Sequence, residues 1–312
     1  MSASRTRTLG VMGKRSPVIA LATQTDSPAV RADDHLHSTP LLQPVLDAHE
    51  AQVVNALIVP EHVGSLPREA EQADCHHILQ AVTGSGLIVG LRDNARRAGL
   101  SNLYRACVSL AERQRFIGRE RWNVAKDAAH RIREATGRPP TALGALAATH
   151  LVYPNPSARL RDVIRFLVPG PYAAKARLAV ASLRGVEVPS HVISGSSPRS
   201  WDEAVRLRGS ALVEEGWQLP TPEDAALLTL PDITSQRGAR RTAALVDLTL
   251  LTRHPDFRWD VFAQRTGLWR LRPAAWGALQ SLKRRFAFEV PDGVLKRIEP
   301  TSWERLLRHV LG

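Results

Sequence analysis

The stretch PPTALGALAATHLVYPNPSARLRDVIRFLVPG, residues 139–170, decides the fold. Pro139-Pro140 cannot continue a helix arriving from upstream. Thr141 to Val152 is short and apolar and reads as a helix, and Tyr153-Pro154-Asn155-Pro156 reads as a turn. Val163 to Val168 is the strongest strand signal in the chain, and Gly170-Pro171 closes it. Residues 172–184 then read as a helix, and Val186-Glu187-Val188 opens a second strand. This alternation of helix and strand predicts a small α/β unit.

Everything around that unit reads as helical. Upstream, Ser101 is the expected N-cap of a long helix reaching about Thr136, with Leu103, Ala106, Cys107, Leu110 and Ala111 on one stripe. Gly137 suits the residue that ends it. Residues 74–92 carry a helix and a short apolar run, 41–58 are apolar at helical spacing, and 1–38 lack lasting periodicity and read as a flexible arm that adds little stability. Downstream, Thr221-Pro222-Glu223-Asp224 is a helix start with Thr221 as cap. Further helices are expected over 240–251, 259–267 and 273–286. The expected class is therefore α+β and mostly helical: an arm (1–38), a helical region (39–138), an α/β core (139–235) and a C-terminal helical region (236–312).

Composition narrows the function. The 312 residues carry 42 Lys+Arg, 30 Asp+Glu and a net charge of +12. Two cysteines, Cys75 and Cys107, exclude a disulfide framework and a four-cysteine zinc module. No apolar run is long enough to cross a membrane, so no membrane partner is expected and the expected compartment is the cytoplasm. Arginine outnumbers lysine 37 to 5, a bias expected of a GC-rich bacterial genome. Residues 91–138 hold 12 basic and 5 acidic residues, a net of +7. Arg and Glu mix there at helical spacing, as on a solvated face. Tyr104, Phe116 and Trp122 are too sparse to stack successive bases, so nucleic acid is a disfavoured partner.

Several clusters carry no chemistry of their own. Asp74-Cys75-His76-His77 puts neighbouring side chains in different directions on a helix, without a second ligand cluster after it. Asp33, Asp34, His35 and His37 sit in the arm. Gly84-Ser85-Gly86 lacks a phosphate-loop lysine and reads as a turn. Cys107, on the apolar stripe, reads as a buried hydrophobe rather than a nucleophile.

Residues 139–260 resemble the bacterial "uncharacterised nucleotidyltransferase" family, a branch of the polymerase-β-type nucleotidyltransferase superfamily. The resemblance rests on motif order: Leu143-Gly144-Ala145 where the family has Leu-Lys-Gly, the Tyr153–Pro156 turn, Arg159, the strand 163–168, Val188-Pro189-Ser190-His191, Pro222-Glu223-Asp224, Leu245-Val246-Asp247 and Trp259-Asp260. It implies a nucleotidyltransferase-like core. In that superfamily an Asp-x-Asp pair and a carboxylate on the next strand hold two Mg²⁺ ions. Here the three positions are Val163, Arg165 and Pro189, and the family lysine is Gly144. Asp162 is one residue off the first ligand position, which in a strand turns it to the other face.

What the resemblance implies is thus a pseudoenzyme without metal or cofactor. Its expected ligand is an anionic small molecule or peptide met in bacterial, natural-product-like biosynthesis, with a biosynthetic protein as a further partner. Arg159, Arg161, Arg165 and Asp247 are the expected substrate-binding residues, and His191 and His150 the expected acid–base pair. Two other readings stand beside it: an active Mg²⁺-dependent nucleotidyltransferase with shifted ligands, and a nucleic-acid-binding protein using the basic 91–138 region.

Overall fold

The computed structural model describes residues 75–302, apart from 84, 161–162, 190–198, 210–212, 236–237 and 287. The arm and the 41–58 segment lie outside the described residues. The first elements are helices α1 (Cys75–Val82), α2 (Ile88–Arg97) and α3 (Ser101–Thr136). Strand β1 (Thr141–Leu143), helix α4 (Gly144–Val152) and strand β2 (Ile164–Leu167) follow, then helix α5 (Ala173–Val180), strand β3 (Val186–Glu187) and helix α6 (Arg199–Arg208). Helices α7 (Pro222–Ser235), α8 (Gly238–Leu251), α9 (Trp259–Leu268), α10 (Arg272–Phe286) and the short α11 (Val294–Arg297) close the described chain. The class is α+β and mostly helical, with one three-stranded mixed sheet of order β1-β2-β3 among the described residues. None of the described helices is long and apolar enough to cross a membrane.

The 141–152 segment departs from the expected single helix. Thr141–Leu143 pairs antiparallel with β2, Thr141 opposite Leu167 and Leu143 opposite Arg165, and Ala142 N–H donates to Gln218 O at 2.9 Å. The chain turns into α4 at Gly144, whose φ of +56° suits a residue without a Cβ. Helical periodicity over residues 141–152 gave no sign of that pairing, because β1's partners lie 22 or more residues away. The cap of α3 also shifts by one: Tyr104 N–H donates to Leu100 O, so Leu100 is the N-cap and Ser101 the first helical residue. Gly137 ends the helix in the left-handed region at φ +69°, as expected. Thr221 does cap α7, accepting Asp224 N–H at 3.3 Å.

Among the described residues, two apolar cores lie on opposite faces of the sheet. Strand alternation sends Ile164 and Phe166 to one, with Ala125, Ala129 and Ile132 of α3, Ala176 of α5 and Trp217. Leu167 goes to the other, with α1, α2, the first half of α3 and helices α7 to α10. Helix α3, about 54 Å long at 1.5 Å per residue, spans both. The larger core therefore joins helices from the 39–138 and 236–302 regions around α7, a helix the sequence reading had placed in the α/β unit.

Candidate functional site

Arg165 lies on the sheet face opposite Phe166, toward the larger core, and is part exposed. In the parallel pairing of β2 with β3 it stands opposite Glu187, and its Nε donates to Glu187 Oε2 at 3.1 Å. Its Nη1 lies 3.5 Å from Asp232 Oδ1 on α7. Burial works against the charge, but Asp232 first and then Glu187 outweigh it, so the guanidinium is held above its ordinary range. Gly144 belongs to the same neighbourhood: a Cβ there would stand 4.0 Å from Asp232 Oδ2. An open groove of about 450 Å³ runs past Glu187, lined also by Arg177, Leu183, Val186 and Pro189.

The two Mg²⁺ ions of the resembling family do not fit this donor set. Val163 and Pro189 bring no side-chain oxygen, and Arg165 brings a cation. Glu187 and Asp232 are both engaged by that cation. Among the described residues no group of three or more His, Cys, Asp or Glu side chains could hold a metal ion.

Expected to hold substrate, Arg159 and Asp247 instead hold each other. Arg159 Nε donates to Asp247 Oδ1 at 3.0 Å and Nη2 to Oδ2 at 2.7 Å, with both side chains only 3 % exposed. The Tyr153 hydroxyl donates to Asp247 Oδ1 at 2.7 Å. Burial, and then the Asp247 charge, push the Tyr153 phenol well above its ordinary range, so it stays a donor. Gly86 lets the chain approach this cluster: a Cβ there would strike Arg159 O at 2.6 Å. This is an internal clamp between the 153–159 turn and α8.

His150 packs in a ring cluster. It stacks on Trp122 with centroids 5.9 Å apart and meets Trp217 edge-on at 6.3 Å, and Trp217 in turn packs on Phe166 at 5.9 Å. That puts it on the Phe166 side of the sheet, away from Arg165, so the two do not form one acid–base site. His191 and Arg161, the other expected site residues, lie outside the described residues, as does Asp162.

The sequence reading missed Glu187, Asp232 and Gln114. Glu187 was within reach: it is two residues before Pro189, hence on the same strand face. Asp232 had no local signal, because only tertiary packing brings α7 to β2. Gln114, 3 % exposed on α3, bonds three backbone groups at once. Its Oε1 accepts Ile88 N–H at 3.2 Å, and its Nε2 donates to Gly86 O at 2.5 Å and to Ala158 O.

Compared with known proteins, the chain matches no family model, no curated protein and no solved structure. The functional reading therefore rests on the geometry and the motif order alone.

Proposed function

We propose that residues 139–235 are a nucleotidyltransferase-like core that has given up metal-dependent nucleotidyl transfer and binds an anionic small molecule or peptide, as a pseudoenzyme of bacterial natural-product biosynthesis. The observation that carries this reading is Arg165 between Glu187 and Asp232, on the strand face that the resemblance assigns to metal-binding carboxylates. A fixed monocation there takes the electrostatic place of a dication. The guanidinium alone repels a Mg²⁺ ion within about 4 Å by about 8 kcal/mol at an effective dielectric near 20, and it already occupies the Glu187 and Asp232 carboxylates that would have to draw the ion in.

The cluster carries one positive and two negative charges, which shapes the ligand. The part-exposed guanidinium can donate to a carboxylate or phosphate oxygen. Glu187 and Asp232 can accept from an ammonium or amide N–H of the same molecule. A ligand bearing both, such as an amino-acid-like acid or a peptide, suits the cluster better than a bare anion. His150 is on the opposite face, so this reading is of binding rather than acid–base catalysis.

The test is calorimetry of the full chain with Mg²⁺–ATP, followed by a thermal-shift screen of amino acids, dipeptides and small phosphorylated acids. The expected outcome is no Mg²⁺–ATP binding at millimolar concentration, and a stabilising ligand whose effect is lost in Arg165→Ala. Micromolar Mg²⁺–ATP binding that Glu187→Gln or Asp232→Asn abolishes would overturn it in favour of an active transferase.

A further inference from the structure

A cavity of about 340 Å³ opens where α2, α3, the 153–158 turn and α8 meet, apart from the Arg165 cluster. That volume lies at the small end of ligand-binding clefts. Its walls are mostly apolar: Leu87, Leu91, Val152, Ala158, Val246 and Leu250. The Tyr153 ring forms part of one side, and its hydroxyl is held by Asp247 rather than turned into the space. Gln114 pins one end through Gly86, Ile88 and Ala158, and the Arg159–Asp247 pair backs the turn. The cavity is therefore bounded by cross-linked segments, and such bracing suits a preformed site.

Its polar groups are unevenly placed. Arg97 and Arg115 line it together with Asp93. Asp93 is already engaged by Arg92, through Nε at 2.8 Å and through Nη2, while Arg115 Nη2 stands 3.9 Å from the other Asp93 oxygen. Arg115 Nε is buried without a hydrogen-bond partner. Arg97 is exposed and makes no ion pair among the described residues. With Arg92 satisfying Asp93, the rim carries surplus positive charge and guanidinium N–H groups over an apolar interior.

We propose that this cavity binds a small amphiphilic acid, its hydrocarbon or aryl body among Leu91, Val152, Val246 and Leu250 and its carboxylate on Arg97 and Arg115. The volume admits a body on the order of ten heavy atoms, taking about 30 Å³ for each water-sized group. Charge-assisted donation from the exposed part of the Arg115 guanidinium and from Arg97 holds that carboxylate at the rim. An amine of the same shape meets two guanidinium groups and is rejected. The inference does not depend on the reading of Arg165, since neither Arg165 nor Glu187 nor Asp232 lines this cavity.

Calorimetry or ligand-observed NMR on the full chain, with octanoate and 3-phenylpropionate as probes and octylamine and octanol as controls, tests it. One or both acids should bind, and octylamine should not. Arg115→Gln and Arg97→Gln should each weaken binding by about 10-fold or more. Gly90→Leu should obstruct the cavity at its exposed edge, because Gly90 lines the space and a Cβ there meets no atom within 4 Å. Failure of both acids to bind at millimolar concentration overturns the proposal, as does octanol binding equal to octanoate. If acid binding instead falls in Arg165→Ala and survives both rim variants, the acid sits at the sheet cluster, and the cavity proposal fails while the Arg165 reading stands.

Discussion

Arg159 and Asp247, 88 residues apart in sequence, form a two-pronged ion pair in which neither side chain exceeds 3 % exposure. Breaking one partner of such a pair strands a buried charge. Asp247→Ala should destabilise the protein by about 3–5 kcal/mol. Tyr153→Phe removes one hydrogen bond to the same carboxylate and should cost less, about 1.5–3 kcal/mol. Urea unfolding of the two variants beside the parent measures both; if Asp247→Ala unfolds at the parent's midpoint, the pair is not the clamp described.

Gln114 satisfies three backbone groups with one side chain. Gln114→Leu keeps much of the volume and leaves Ile88 N–H, Gly86 O and Ala158 O without it. Each buried unsatisfied group costs about 1–3 kcal/mol, so a loss above about 3 kcal/mol is expected. Hydrogen exchange should show faster amide exchange at the start of α2 in this variant. An unchanged exchange pattern would mean that other contacts hold α2 to α3.

Asp224 is fully buried at the start of α7 and takes three guanidinium bonds: Arg208 Nε and Nη2 at 3.0 Å each, and Arg265 Nη1 at 2.8 Å. The carboxylate thereby ties α6 and α9 to α7. Asp224→Ala leaves both arginines facing a vacated site and should lower stability by about 3–5 kcal/mol. Thermal unfolding monitored by circular dichroism reads this, and a melting temperature within a degree of the parent's would contradict it.

Cys107 is buried on the α3 stripe, and burial, with Cys75 adding to it and Arg92 opposing, pushes its thiol from 9.0 up to about 12. In the unfolded chain the thiol ionises near its ordinary value; in the folded chain it stays protonated. The thiol's contribution is therefore complete below pH 9 and is lost as pH rises from 9 through 12. The parent's stability advantage over Cys107→Ala should narrow across that window. In native protein at neutral pH, iodoacetamide should label half-buried Cys75 well before Cys107. Fast labelling of Cys107 would rule out its burial.

How much of this was legible without tertiary structure differs element by element. The long helix 101–136 was readable because apolar period, a Gly137 stop and the following prolines are all local signals. The start of α7 was readable for the same reason, since Thr221, Pro222 and the first-turn acids act within one helical turn. Strand β2 and its alternation also followed from local pattern, and with it the placing of Arg165 on the face away from Phe166.

Tertiary structure decided the rest, because the deciding contacts join distant residues. Thr141–Leu143 carries no strand period of its own and becomes a strand only by pairing with β2. The partners of Arg165 come from a neighbouring strand and from a helix 67 residues downstream, and no local rule pairs them. His150 has the chemistry of a proton carrier in any sequence; packing against Trp122 and Trp217 puts it on the wrong face for Arg165. Residue type set what each side chain could do, and chain crossing, through loops whose closure cost grows only slowly with length, set which of them meet.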